Sequence, residues 1–131
     1  MFVTVASDVI ATLIAEAARA APAECCGVLL GHGKVIERAL PAPNVAEEPE
    51  RRFEIDPASL LQAHRSARQG GPQVLGYYHS HPEGHPVPSA TDCEHASGDL
   101  RIWAIVAGRE VRFWRDAADG FQPLSSQVID G

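Results

Sequence analysis

Lysine is almost absent from this chain of 131 residues: Lys34 is the only one, beside ten arginines. The arginines are scattered, and the adjacent pair Arg51 and Arg52 stands among glutamates. The formal net charge is -6. Because affinity for nucleic acid comes largely from clustered Lys and Arg, this charge pattern argues against a nucleic-acid partner.

Long hydrophobic runs are also missing, since no stretch approaches the roughly 20 apolar residues that a membrane-spanning helix needs. Residues 1–21 are apolar in places, but Asp8, Glu16 and Arg19 interrupt them. No basic residue precedes the apolar part, as a signal peptide would require. We therefore predict no membrane span and a cytoplasmic location.

Cysteine is scarce, with Cys25, Cys26 and Cys93 making an odd count. An odd number in a chain without an export signal does not indicate a disulfide framework. We expect these side chains to act as small buried hydrophobic groups. A contact or pair between Cys26 and Cys93 is the alternative.

The remaining composition, 45% hydrophobic and 21% charged, is that of an ordinary globular chain. Its length predicts a single domain over residues 1–131. Helical spacing predicts one helix over 7–21 with Ser7 as its N-cap. Asp56 followed by Pro57 predicts the start of a second helix that ends at the glycine pair 70–71.

Strand patterns alternate with these helices, so the fold class is mixed α and β. Residues 41–50, rich in Pro and Glu, are expected to form a surface loop that could close as a flap. A short helix is predicted at 89–96, and Trp103, Phe113 and Trp114 are expected in the core. The predicted strands are 26–30, 35–40, 53–55, 74–81, 102–107, 111–114 and 121–129.

The most informative residues are His79 and His81. Residues two apart in a strand point to the same face, so both imidazoles can converge on one ion, whereas on a helix they would diverge. Asp92 follows after a connector stiffened by prolines and is the natural third ligand. Two imidazoles and one carboxylate leave a fourth position for water, which is typical of catalytic zinc. Alternatively, Ser89-x-x-Asp92 is an ordinary helix start.

The spacing His79-Ser80-His81, then seven residues, then Ser89-x-x-Asp92 resembles the signature of the JAMM (MPN-domain) zinc metalloproteases. The segment 22–31, which contains Glu24, is similar to the part of that family that carries the catalytic glutamate. The predicted order of helices and strands also resembles that of the family's short stand-alone prokaryotic members. The resemblance implies one largely antiparallel curved sheet, flanked by two main helices, with a short helix at the metal site.

The resemblance further implies that His79, His81 and Asp92 bind one catalytic Zn²⁺. Glu24 would take a proton from the attacking water and later protonate the leaving amine. Ser89 would donate a hydrogen bond to the oxyanion of the tetrahedral intermediate. From residues alone, Glu83 is a rival base.

His85 is a rival third imidazole, but its place in a proline-rich loop favours contact with substrate or solvent. Cys93, next to Asp92, is expected to pack inside the protein rather than to act as a ligand or nucleophile.

The function implied by the family is hydrolysis of a peptide or isopeptide bond at the C-terminal tail of a ubiquitin-like protein. For a short stand-alone member, family analogy favours a sulfur-carrier protein with a Gly-Gly tail. The tail could add a strand beside the site. Two alternatives remain: a non-catalytic MPN-type binding module, and a zinc hydrolase of a small non-peptide substrate.

Overall fold

The computed structural model describes residues 2–131, which form a closed sheet of seven strands with three helices around it. The helices are α1 (Ser7–Ala20), α2 (Pro57–Arg68) and α3 (Ala90–His95). The strands are β1 (Phe2–Ala6), β2 (Cys26–His32), β3 (Val35–Ala42), β4 (Gln73–Ser80), β5 (Ile102–Ala107), β6 (Glu110–Ala117) and β7 (Gly120–Ile129).

The sheet is a barrel in the order β1-β3-β2-β4-β5-β6-β7, closed because β1 pairs in parallel with both β3 and β7. The mixed α/β class and the antiparallel majority are as predicted, since only the β1–β3, β1–β7 and β4–β5 pairs are parallel. The predicted curved sheet is corrected in one respect, because it closes into a barrel. Strand β1, which the sequence pattern did not reveal, removes both free edges.

The two longer helices pack on opposite faces of the sheet. Successive side chains of a strand point to opposite faces, so Leu29 joins the α1 side whereas Val28 and Leu30 join the α2 side. Helix α1 buries Val9, Leu13 and Ala17 along one stripe. The main core cluster consists of Val3, Val5, Ala6, Val9, Leu13, Ala17, Cys25, Leu29, Ile36, Tyr78, Ile102, Ala104, Val106 and Phe113.

The helix starts give one confirmed prediction and one error. Asp56 caps α2, accepting a hydrogen bond from the Ser59 N–H at 3.3 Å, with Pro57 in the first turn. Ser7 does not cap α1, because the N-cap residue is Ala6 and makes no side-chain bond. Strand β1 runs directly into the helix, so the turn that would expose a capping side chain is missing.

The segment between β3 and α2, residues 43–56, contains no strand. The predicted strand at 53–55 is only an isolated bridge between Asn44 and Ile55. The predicted loop at 41–50 also begins later than expected, because Pro41 and Ala42 belong to β3. We refer to residues 43–56 as the β3–α2 segment.

Strand β4, which leads to the functional residues, lies in the middle of the sheet between β2 and β5. Gly76 allows the close approach to β5, because a Cβ there would lie 1.7 Å from the Ile102 carbonyl oxygen. No helix within residues 2–131 has both the length and the apolarity that crossing a membrane would take.

Candidate metal centre

Strand β4 delivers two histidines to one point. His79 is its second-last residue and is fully buried. His81 follows the strand end, but its N–H donates to the Val106 carbonyl at 2.8 Å, which continues the pairing with β5. The extended backbone therefore keeps both imidazoles on one face, as predicted.

Three atoms that could act as metal ligands lie close together at this point. Oδ2 of Asp92 lies 3.0 Å from Nε2 of His79 and 3.2 Å from Nε2 of His81. The two Nε2 atoms are 3.1 Å apart. His79, His81 and Asp92 thus form a cluster whose ligand atoms could hold one metal ion. The structure brings the three predicted ligands together, and the side chain of His85 is not part of the cluster.

Asp92 is both a member of this cluster and part of a helix start. Oδ2 of Asp92 accepts from the Ser89 N–H at 2.9 Å, while the Ser89 hydroxyl oxygen accepts from the Asp92 N–H at 3.0 Å. These reciprocal bonds form a capping box at the start of α3. The two interpretations of Ser89-x-x-Asp92 are therefore compatible, because the cap fixes the oxygen that faces the histidines.

The hydrogen bond made by Nδ1 of His81 determines which tautomer its ring adopts. Nδ1 of His81 lies 2.7 Å from the His85 carbonyl oxygen, which can only accept, so Nδ1 carries a proton. In the neutral ring Nε2 then presents a lone pair to the Asp92 carboxylate. A proton or a metal cation is needed between these two electron-rich atoms.

Aromatic rings surround His79. Phe53 of the β3–α2 segment stacks on its ring at 4.2 Å between centroids, and Trp103 of β5 meets it edge-on at 5.6 Å. Nδ1 of His79 is buried and has no hydrogen-bond partner among residues 2–131. Packing therefore fixes the orientation of this imidazole. Trp103 is buried as predicted, but it also forms a wall of the site.

The electrostatics favour a cation. Burial opposes ionisation of Asp92, but hydrogen bonds from His79 and His81 outweigh it and hold the pKa of this carboxyl well below its ordinary value. Burial lowers the pKa of His79. For His81 burial acts the same way, but Asp92 and the His85 carbonyl reverse it, and its pKa is raised. A buried carboxylate beside a neutral imidazole is a negative site.

The donor set fits zinc. Two imidazole nitrogens and one carboxylate oxygen are the ligands of many catalytic zinc sites, with bonds of about 2.0 to 2.2 Å. Tetrahedral ligands at such distances lie roughly 3.3 Å from one another. The observed separations of 3.0 to 3.2 Å are close to this value.

Glu24 lies beside this cluster, just before β2. The next residue, Cys25, donates its N–H to the Ser80 hydroxyl at 2.8 Å, and the Ser80 N–H donates to the Cys25 carbonyl at 3.2 Å. The chain around Glu24 therefore runs along the end of β4. The side chain is 7% exposed, and its Oε1 has no hydrogen-bond partner within the described chain.

The Glu24 carboxyl is a weaker acid than an ordinary glutamate. Burial raises its pKa to about 7, with His81 lowering it and the Asp92 charge raising it. A carboxyl with a pKa near neutrality, close to a candidate metal site, is suited to taking up and returning a proton.

The connector between β4 and α3 contains the rival residues. Glu83 and His85 are both exposed, and His85 contributes its backbone carbonyl rather than its ring. Trp114 of β6 donates its indole N–H to the Pro86 carbonyl at 3.1 Å and so fixes the connector. Trp114 was expected simply in the core, but it is only half-buried and has this second task.

The cysteines take no part in the cluster. All three are free thiols, so the Cys26–Cys93 pair is not formed. Cys25 and Cys26 are buried as expected, but the prediction that Cys93 is buried is wrong because it lies on the exposed face of α3. Burial raises the pKa of Cys26 to about 12, so this thiol stays protonated.

A cleft of about 390 Å³ opens beside His81. One wall consists of the small side chains Ala17, Ala18 and Ala21 near the end of α1. Arg109, in the β5–β6 turn, contributes a positive charge to its rim. The cleft is mainly apolar and lies on the α1 side of the sheet, and His81 is the only member of the ligand cluster that lines it.

Sequence comparisons place residues 6–117 in the family described as prokaryotic homologs of the JAB domain. A desampylase from Haloferax volcanii is 40% identical over 82% of this chain and 79% of its own. A probable TtuB-protein conjugate cleaving protease from Thermus thermophilus is 39% identical, over 71% of this chain and 69% of its own.

The structural comparison agrees. The solution structure of a protein from Desulfitobacterium hafniense superposes with a TM-score of 0.87, at 28% identity, covering 99% of this chain and 94% of the other. With residues 6–117 matched and a relative at 40% identity, the chain belongs to the prokaryotic JAMM (JAB/MPN-domain) family of peptidases and isopeptidases.

Proposed function

We propose that this protein is a zinc-dependent peptidase or isopeptidase that cleaves a bond at the C-terminal tail of a ubiquitin-like protein of the sulfur-carrier type. His79, His81 and Asp92 hold the zinc, Glu24 is the general base and Ser89 stabilises the oxyanion. The observation that carries the proposal is the convergence of three ligand atoms within 3.2 Å next to the buried Glu24.

Zinc, when bound, supplies Lewis acidity, lowering the pKa of water and polarising a carbonyl. The protein's part is to hold the ligand atoms in place. The capping box fixes Asp92, and the His85 carbonyl selects the His81 tautomer with a free Nε2. Phe53 and Trp103 keep bulk water away from His79.

Glu24 is proposed to remove a proton from the attacking water at its carboxylate and to deliver it to the departing amine. In the metal-free protein burial raises the pKa of Glu24 to about 7, close to the ambient pH at which one carboxyl can act first as a base and then as an acid. Burial supports Glu24 over Glu83, whose side chain is exposed in the connector.

Ser89 is proposed as the oxyanion donor. Its hydroxyl oxygen accepts the Asp92 N–H, which leaves the hydroxyl hydrogen free for another partner. The residue is exposed at the mouth of the site, within one helical turn of the ligand Asp92. A substrate carbonyl can therefore approach it directly.

The substrate class is supported by the relatives. Both relatives described above carry names of enzymes that act on protein conjugates. Strand β4 is paired on both sides, so the tail would lie against the surrounding loops rather than add a strand to β4 itself.

The test is incubation of zinc-loaded protein with ubiquitin-like carrier proteins joined through a Gly-Gly tail to a second protein. We expect cleavage after the last glycine, read by mass spectrometry. Zinc-loaded Glu24→Gln is the matched control and should retain one zinc per chain while kcat falls by about 100- to 10,000-fold.

Three results would contradict the proposal in different ways. A wild-type protein that binds no transition metal would remove the enzymatic mechanism altogether. Zinc binding with hydrolysis of small amides but of no protein conjugate would favour a non-peptide hydrolase. Zinc binding with carrier binding and no hydrolysis would favour a binding module.

A further inference from the structure

The β3–α2 segment is folded around one side chain, that of Asn44. Its Oδ1 accepts the Ala46 N–H and the Glu54 N–H, both at 3.1 Å. Its Nδ2 donates to the Arg52 carbonyl at 3.1 Å and to the Glu24 carbonyl at 3.0 Å. Nδ2 also makes a longer contact of 3.5 Å with the Pro49 carbonyl. The two donor hydrogens and the acceptor oxygen of the Asn44 amide are therefore all engaged.

Only one of these bonds leaves the segment, and it goes to the residue proposed as the base. A second bond joins the same two parts of the chain, because the Glu24 N–H donates to the Pro49 carbonyl at 2.7 Å. The peptide groups on both sides of the Glu24 Cα are thus held by the β3–α2 segment. No other element described here bonds to the Glu24 backbone.

The Glu24 side chain lacks such support. Its Oε1 is buried without a hydrogen-bond partner among residues 2–131, so no side-chain bond to that oxygen aims the carboxyl at the ligand cluster. The direction of the carboxyl then depends on the packing around it and on the position of its own backbone. A base that is misplaced by about 1 Å can lose 100-fold in rate.

We propose that Asn44 is a positioning residue that holds the Glu24 backbone so that its carboxyl faces the metal centre. The inference rests on the proposed role of Glu24 as general base. It also assigns a task to the β3–α2 segment: these residues support the backbone of the base.

The experiment compares Asn44→Ala and Asn44→Asp in the full-length, zinc-loaded protein. Aspartate keeps an oxygen for the Ala46 and Glu54 N–H groups but cannot donate to the Glu24 carbonyl. We expect kcat to fall by about 10- to 100-fold in both variants, with KM and zinc content near the wild-type values. If Asn44→Asp keeps the wild-type kcat, the bonds that residue 44 accepts within the segment are sufficient for activity, and its bond to the Glu24 carbonyl does not position the base.

The control variant is Gln73→Ala. Gln73, the first residue of β4, also has an amide side chain that donates to two backbone carbonyls, those of Ala67 and Gly71, where α2 leads into β4. Its loss should leave kcat within about 2-fold of wild type and zinc content unchanged, as expected for a surface hydrogen bond away from the site.

A double-mutant comparison separates positioning from general loosening. In the Glu24→Gln background, Asn44→Ala should cause no further loss of the residual rate, because the group it positions is already inactive. An equal loss in both backgrounds, or a parallel loss of zinc, would show that Asn44 only stabilises the fold.

Amide hydrogen exchange supplies a measurement independent of activity. Asn44→Ala should speed exchange of the Glu24 N–H by about 10-fold or more while the amides of β2 keep their protection. Unchanged exchange at Glu24 would overturn the inference even if the wild-type protein cleaved no conjugate. Absence of cleavage by the wild type would instead count against the proposed function alone.

Discussion

The two sides of the candidate centre are held in different ways. The ligands come from β4 and the start of α3, only 13 residues apart for His79 and Asp92, and are fixed by strand pairing and a helix cap. Glu24 precedes β2 and is held by a side chain 20 residues further along, in a segment without regular structure. Metal binding therefore depends on regular elements, whereas the placement of the base depends on irregular backbone.

This difference leads to one prediction for the metal ligands and a different one for the residues around Glu24. Substitutions among the ligands should remove zinc and activity together. Substitutions around Glu24 should reduce turnover and leave zinc in place.

Asp92→Ala should have the largest effect. It removes a proposed ligand and the acceptor of the Ser89 N–H. We expect zinc affinity to fall by more than the roughly 10- to 100-fold typical of residues that only support a ligand, and hydrolysis to fall to background. Metal content after dialysis against a weak chelator, with the rate measured in parallel, checks this expectation.

Asp92→Asn is the control for the capping role, because asparagine can still accept the Ser89 N–H. It should lose less thermal stability in the metal-free protein than Asp92→Ala does and still bind zinc poorly. If both variants keep zinc and differ only in melting temperature, Asp92 is a cap and not a ligand.

Ser89→Ala should come next in size. It removes the proposed oxyanion donor, for which losses of about 100- to 1,000-fold in kcat are typical, and a helix cap worth about 1 kcal/mol of stability. Zinc should be retained. Ser89→Thr keeps a hydroxyl and should recover most of the rate. A loss of zinc that matches the loss of rate in Ser89→Ala would assign Ser89 a capping role only.

The ligand side was predictable from the sequence because its information is local. The two-residue spacing of His79 and His81 in a strand and the helix-start pattern at Ser89 each follow from short-range geometry. The structure places these residues together with Asp92. The chemical roles of the site residues stay predictions that the experiments above address.

The support of the base was not predictable, because it depends on contacts between distant segments. Asn44 follows a proline in a loop, and its bond to the Ala46 N–H is the ordinary Asx pattern that sequence can suggest. Nothing local indicates the bond to Glu24 or the stacking of Phe53 on His79. Both require the β3–α2 segment to fold back over the site.

Strand β1 was missed for a different reason. Val3, Thr4 and Val5 are β-branched and favour a strand, but β1 ends at Ala6 and α1 begins at Ser7 with no turn residue between them. The apolar residues of the strand merge with those of the helix in the sequence. Closure of the barrel, which depends on β1, was therefore missed as well.

The smallest expected effect is on the stability of the metal-free protein. It tests the burial of Glu24 independently of the proposed catalytic role of this residue. Burial raises the pKa of Glu24 to about 7 from its ordinary value of 4.5. Between these values the folded state binds more protons at this residue than the unfolded state does. The contribution of Glu24 to the free energy of unfolding therefore falls as the pH rises from 4.5 to 7.

Glu24→Gln removes this titration. The variant should be about as stable as wild type near pH 4, and more stable by about 1 to 3 kcal/mol at pH 8. Denaturant unfolding of both metal-free proteins at several pH values measures the difference, and other titrating groups cancel in the comparison. A difference independent of pH would show that the carboxyl is hydrated and ionised in the folded protein. Its affinity for a proton at neutral pH would then have to come from a bound substrate that excludes water, because a nearby metal cation lowers the pKa of a carboxyl.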